Sequence, residues 1–334
     1  MNQDSSLAFL LQILRGELPA SPPDEAAWTD LLQTARRQTV VGPLYQAAEH
    51  FPEHYSIPEN VLFPLLAEVT KIVKTNQKLA KAEKEALGIL RSGGLEPVVM
   101  KGSSCAARYP APELRTGGDI DLYVPEADFP RAAALLRDAG LQGSGKPDSS
   151  MDFILGGCEV ELHRRYFDLH ISKKLLPDVG TPEAELLMLS SHILKHACGV
   201  GIGLRQIIDF ALAYKAYPGD YEELHHLFRR VGLYRWHVLL LSFVKDYIDT
   251  SAKVPAHVDS GKLFRIVSEG GNFGHFRERR LQSIQGQPEI RRKADTLRRM
   301  LGRLPFSMRY APREILSILG ELFRNNLPYN YLNT

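Results

Sequence analysis

The chain has 334 residues, 44% of them hydrophobic and 24% charged, with a formal net charge of +2. At about 100–200 residues per domain, this length suggests two domains with an appended segment, and the composition is that of a globular chain. The near-neutral charge neither requires nor excludes an anionic partner; the three widely spaced cysteines Cys105, Cys158 and Cys198 argue against a disulfide framework or a zinc knuckle. No run approaches the ~18 apolar residues of a membrane span, so no membrane partner is expected. The N-terminal apolar run Leu7–Leu11 follows Asp4 and is broken at Gln12, unlike a signal peptide, and a reducing cytoplasm is the expected setting.

In chain order, residues 1–94 read as an N-terminal helical region. Leu65, Leu66, Val69, Ile72, Val73, Leu79, Leu87 and Leu90 recur at helical spacing, with Lys71, Lys74, Lys78, Lys81, Glu83, Lys84 and Glu85 between them, and Gly93-Gly94 ends the helix. Pro97-Val98-Val99-Met100 is a short β-branched run. It stops at Lys101-Gly102-Ser103-Ser104, a tight turn leading into a helix. Arg108 to Gly118 carries Pro110, Pro112, Gly117 and Gly118 and reads as a loop. The strand Gly118-Asp119-Ile120-Asp121-Leu122-Tyr123-Val124 follows, then a helix that starts near Asp128 and Pro130 and ends at Gly140.

The Gly/Ser/Pro-rich stretch from Gly143 to Ser150 is expected to be mobile. Met151–Leu155 and Cys158–His163 flank Gly156-Gly157 and predict a hairpin. Beyond Pro177 the pattern returns to helix, with one apolar set at Leu186, Leu187, Leu189, Ile193, Leu194 and Ala197 and another at Ile207, Ile208, Phe210, Ala211 and Leu212. The expected fold class is α+β: a small α/β core at 95–175, a mixed sheet with helices, flanked by helical regions at 1–94 and 176–334.

Side chains alternate along a strand, so Asp119 and Asp121 share one face while Ile120, Leu122 and Val124 point to a core. Glu159, Glu161 and His163 likewise share a face, with Val160 and Leu162 opposite. Were the two strands neighbours, three carboxylates would converge, and crowded anions raise one another's pKa values unless a cation intervenes. A hard divalent cation such as Mg²⁺ prefers carboxylate oxygens supplemented by substrate phosphates. Upstream, Gly102-Ser103 lies where a glycine permits close approach and helix amides can receive phosphate.

This order of turn, Asp-x-Asp strand and later acid resembles the polymerase-β-like nucleotidyltransferases. The closer likeness is to a bacterial group of largely uncharacterised nucleotidyltransferases, through Lys101-Gly102, Arg115 ahead of Gly118-Asp119-Ile120-Asp121, and Glu161-Leu162-His163. It covers about residues 95–165, and extends more weakly to His192-Ile193-Leu194-Lys195-His196 and Arg205-Gln206-Ile207-Ile208-Asp209. The loop between Gly102-Ser103 and Asp119 is longer than in most of the superfamily. The resemblance implies Mg²⁺-dependent transfer of a nucleoside monophosphate, most simply AMP, from an NTP to a hydroxyl on a small molecule or protein.

In that scheme Asp119, Asp121 and Glu161 bind two Mg²⁺ ions, or Mn²⁺ in their place, and Glu161 helps deprotonate the acceptor. Gly102 and Ser103 hold the β- and γ-phosphates. Lys101 and Arg115 are candidates to reach the triphosphate, as are Lys195 and His196 from the helical lobe. Glu159 competes with Glu161 for the role of third acid, and His163 either lines the site or caps the strand.

A zinc site at His192 and His196 is not expected, because Ile193 stands where the metalloprotease motif has Glu. Asp209 has an i, i+4 partner in Arg205. From Arg277 to Arg313 there are eleven Lys/Arg against three acids. Ile290, Ala294, Leu297 and Leu301 form a stripe there, with Arg291, Arg292, Arg298 and Arg299 off it, which reads as a solvated amphipathic helix rather than a nucleic-acid surface. Two rival readings are a nucleotide-binding, antitoxin-like regulator of little turnover, and a metal-dependent glycosyltransferase.

Overall fold

A computed structural model describes residues 2–146, 150–167, 169, 173–198, 201–271, 302–314 and 316. The fold is α+β: a five-stranded mixed sheet within a largely helical chain. Helices α1 (Gln3–Leu14), α2 (Glu25–Gln38) and α3 (Val41–Ala48) come first. Asn2 and Asp24 cap the first two by accepting from the amides of Ser5 and Ala27, both at 2.8 Å. Helix α4 (Glu59–Ser92) runs 34 residues, about 50 Å at the helical rise, and ends at Gly93-Gly94.

Strand β1 (Val98–Val99), the short helix α5 (Ser103–Ala106), strand β2 (Ile120–Tyr123), helix α6 (Phe129–Asp138) and strands β3 (Gly143–Lys146), β4 (Ser150–Leu155) and β5 (Cys158–His163) follow. The sheet order is β1-β2-β5-β4-β3. β2 and β5 are parallel, and the remaining pairs are antiparallel. The expected hairpin joins β4 to β5, with Gly156 and Gly157 at φ 58° and 76°, values that favour glycine. The stretch expected to be mobile is instead partly strand: β3 pairs along β4 with Gly143 opposite Phe153, because a glycine there leaves room for the Phe153 ring.

Helices α7 (Pro182–Cys198), α8 (Leu204–Lys215), α9 (Tyr221–Arg230), α10 (Tyr234–Tyr247) and α11 (Gly261–Gly270) form the helical lobe, joined by a last described helix at Leu304–Tyr310. The amphipathic stripe at 290–301, with Arg291, Arg292, Arg298 and Arg299, lies outside the described residues.

Apolar side chains gather into two cores. The larger joins α1–α3 to α7–α11, so the N-terminal helices and the helical lobe bury one interior. The smaller lies beneath the sheet, where Ile120, Leu122, Phe153, Val160 and Leu162 meet Phe129, Ala132 and Leu136 of α6. Helix α4 serves both, with Val61, Leu65 and Val69 in the first and Ala82, Ala86 and Leu90 in the second. Because strand side chains alternate, Asp121, Glu161 and Asp152 share the opposite sheet face, and Asp121 lines the cleft beneath α7 and α8. Among the described residues no helix is long and apolar enough to cross a membrane.

Candidate active site

The parallel register of β2 and β5 sets Asp121 opposite Glu161 and Tyr123 opposite His163. One ligand atom from each of Asp121, Glu161 and His163 lies within 4.8 Å of the others. His163 Nε2 is 2.7 Å from Asp121 Oδ1 and 3.3 Å from Glu161 Oε2. From the end of β1, Lys101 Nζ reaches the same Asp121 oxygen at 2.9 Å. Glu159 pairs with Ile154 further along β5 and stands outside the trio, which contains Glu161. Asp119 precedes β2 and lines the adjoining cavity rather than the trio.

Asp121 is 1% exposed, and burial alone would raise its pKa; the His163 hydrogen bond and the Lys101 charge outweigh that and hold it at about 2. The hydrogen bond from His163 also lowers Glu161. Burial works against charge on His163, but Asp121 and Glu161 prevail and push it up to about 9. Asp119 goes the other way, raised first by burial and then by the charge of Asp121. At neutral pH two protein cations therefore sit among ionised acids, in the position a metal would otherwise neutralise. The oxygens of Asp121 and Glu161, gathered within a single cation's reach, could hold a hard divalent ion, while the imidazole is a ligand for a softer one.

Above the acids the cleft is lined by Lys101, Gly102, Asp119, Asp121, His192 and Arg205, among others. Gly102 turns between β1 and α5 at φ 75°, and an added Cβ would meet only the Asp119 carbonyl at 3.6 Å. The backbone angle rather than crowding therefore calls for glycine. Ser103 is exposed and donates its hydroxyl to both carboxylate oxygens of Glu83, at 2.9 and 2.7 Å.

Arg115 lines the cavity wall but its fork is engaged: Nε and Nη2 donate to Asp209 at 2.8 and 2.6 Å. Tyr109 donates to the same carboxylate at 2.8 Å. Asp209 thus pairs across the cleft with Arg115 and not, as its i, i+4 spacing suggests, with Arg205, because α8 turns that carboxylate toward the loop ahead of β2. Arg205 donates from Nη1 to the Thr116 carbonyl at 2.7 Å, and its Nε is buried without a hydrogen-bond partner.

On α7 the cavity wall is made by Leu189, His192 and Ile193 rather than by Lys195 and His196. Lys195 is exposed, and the His196 ring packs edge-on against His192 at 4.4 Å. Sequence reasoning passed over His192 and Arg205 as wall residues, and over Asp152, which β4 sets opposite Glu161. The Arg205–Asp209 spacing was the available signal, and it pointed to the wrong pair.

A family model described as an uncharacterised nucleotidyltransferase matches residues 24–249, well over half of the chain, and reaches from α2 through the sheet into α10. No curated protein and no solved structure matches the chain. On that match, which carries the acidic sheet and the helices on both sides of it, the chain belongs to this nucleotidyltransferase family.

Proposed function

We propose that the protein is a Mg²⁺-dependent nucleotidyltransferase that moves a nucleoside monophosphate, most simply AMP, from an NTP to a hydroxyl of a small molecule or protein. The observation that carries this reading is the placement of Asp121 opposite Glu161, with their oxygens and His163 within 4.8 Å, beside the Lys101-Gly102 turn. Asp119, Asp121 and Glu161 would hold the divalent ions. Bound there, Mg²⁺ or Mn²⁺ would neutralise the triphosphate, acidify the acceptor hydroxyl and stabilise the attacking and leaving oxygens.

The chain's own groups divide the remaining work. Gly102 and Ser103 receive the β- and γ-phosphates once Ser103 exchanges Glu83 for a phosphate oxygen. Lys101 supplies positive charge next to Asp121, and the unmatched Nε of Arg205 adds a donor in the same cavity. Arg115 serves by bracing the wall through Asp209. Lys195 and His196 would contact an NTP only beyond His192.

In the transfer, the acceptor's O–H proton passes to the Glu161 carboxylate as its oxygen bonds the α-phosphorus. The bond between the α-phosphorus and the oxygen that bridges to the β-phosphate breaks, and pyrophosphate leaves with that oxygen and the electron pair. His163, 2.7 Å from Asp121 Oδ1 and 3.3 Å from Glu161 Oε2, orients both carboxylates. The free thiols Cys105, Cys158 and Cys198 support a cytoplasmic setting.

Calorimetry with ATP, GTP, CTP and UTP in the presence of Mg²⁺ tests the reading. Binding should vanish on chelation with EDTA and in Asp119→Asn/Asp121→Asn, and the NTP that binds should label an acceptor when carried with an α-phosphate tracer. Nucleotide binding indifferent to both metal and mutation would refute it.

A further inference from the structure

Beside the cleft between the sheet and α7/α8 lies a second cavity of about 420 Å³, within the ~300–1,000 Å³ range of small-ligand pockets. The two cavities are neighbours along the same elements. On α7, Glu185 lines the second and Leu189 the first; on α8, Ala213 lines the second and Asp209 the first. Four helical residues span about 6 Å. Met100 and Lys101, adjacent in the chain, face one cavity each.

The walls state what would fit. Arg108 and Glu185 form a two-point ion pair at 2.8 and 2.6 Å, so their charges cancel and a strongly charged ligand finds no free counter-ion there. Ser104 lines the cavity with its Oγ turned out of reach and without a hydrogen-bond partner, and a rotation about χ1 would present that hydroxyl to a polar ligand. Tyr166 and Tyr217 contribute aromatic walls, and the Tyr217 hydroxyl is already spent on Glu183 at 2.6 Å. Aromatic walls beside an unsatisfied hydroxyl and a neutral ion pair match a molecule with C–H faces and many hydroxyls.

We propose that this second cavity is the acceptor pocket and that its ligand is a compact, uncharged polyhydroxylated molecule of saccharide size. The inference rests on the nucleotidyl-transfer reading, since a hydroxyl held here lies next to the cavity assigned to the NTP.

The test uses maltose as a neutral saccharide probe and the full chain, with saturation-transfer difference NMR for maltose and calorimetry for Mg²⁺-ATP. Ala216→Trp places a large ring from an exposed position at the end of α8, and Ser104→Ala removes the unsatisfied hydroxyl. The expected result is a maltose signal in the wild type that is lost in Ala216→Trp. In Ser104→Ala its affinity should fall about fivefold, the worth of one hydrogen bond. ATP affinity should not change in either variant. No maltose signal in the wild type, or an equal signal in Ala216→Trp, overturns the pocket assignment. Failure of ATP to bind any form while the maltose pattern holds overturns the nucleotidyl-transfer reading and leaves the pocket standing.

Discussion

Replacing Asp209 with Asn should destabilise the protein more than most substitutions, because it strips the counter-charge from a guanidinium that is 6% exposed. Asp209 accepts two hydrogen bonds from Arg115 and one from Tyr109, all buried. Breaking a buried pair by removing one partner costs about 3–5 kcal/mol, since the other charge is left without water or partner. Against a typical folding stability of roughly 5–15 kcal/mol, this is at least about a fifth of the total. Urea unfolding followed by circular dichroism should show the midpoint fall accordingly. The double variant Arg115→Met/Asp209→Leu removes both charges and refills the space, and should recover most of the single-variant loss, because two buried charges no longer need desolvating. Tyr109→Phe should cost only about 1 kcal/mol, the net worth of one hydrogen bond. A cost below about 1 kcal/mol for Asp209→Asn, or a double variant as unstable as the two singles added together, would refute the buried pair as the source of this stability.

Other outcomes follow from the same geometry. His163 is raised to about 9, so its contribution is complete below about pH 6.5 and is lost as pH rises through 9. The loss should be ~3 kcal/mol at most in urea unfolding, and His163→Gln should remove it. In Asp121→Asn the His163 titration, followed by NMR, should fall back toward its ordinary range; a titration still near 9 would show that Asp121 is not its main partner. Buried His237, stacked on Phe228 at 3.8 Å, has its pKa lowered by burial and then by His225, so its contribution is present above about pH 6.5 and lost as pH falls. His237→Phe should flatten that acid limb. Asn76 in α4 donates to the Glu113 and Arg115 carbonyls at 2.7 and 2.8 Å and accepts from the Gly117 amide at 3.2 Å. Asn76→Ala should cost about 1–3 kcal/mol and speed hydrogen exchange at the Gly117 amide; unchanged exchange there would rule out the tether.

What was legible in advance was what backbone geometry makes local. Alternation along Ile120–Val124 and Cys158–His163 separated the acids from the core residues, and the two-glycine hairpin followed from turn chemistry. The Gly143–Lys146 strand was missed because its glycines carry no β signal; the strand is held by its partner β4. The Asp209 partner was misread because i, i+4 spacing gives opportunity without direction, and α8 points that carboxylate across the cleft.

Local pattern thus determined which residues share a face: Asp119 with Asp121, Glu159 with Glu161 and His163. The tertiary structure alone decided which of them meet. Whether β2 lies beside β5, and in which register, depends on burying Ile120, Leu122, Val160 and Leu162 together against α4 and α6. The register that results sets Glu161 opposite Asp121: a one-residue slip would turn the apolar side chains outward, whereas a two-residue slip would keep the faces and bring Glu159 there instead. The joining of the N-terminal helices and the helical lobe in one core and the Arg115–Asp209 pair across 94 residues were decided in the same way. Such contacts overcome the cost of closing long loops only when an entire interior is buried at once, a collective gain that no short window of sequence contains.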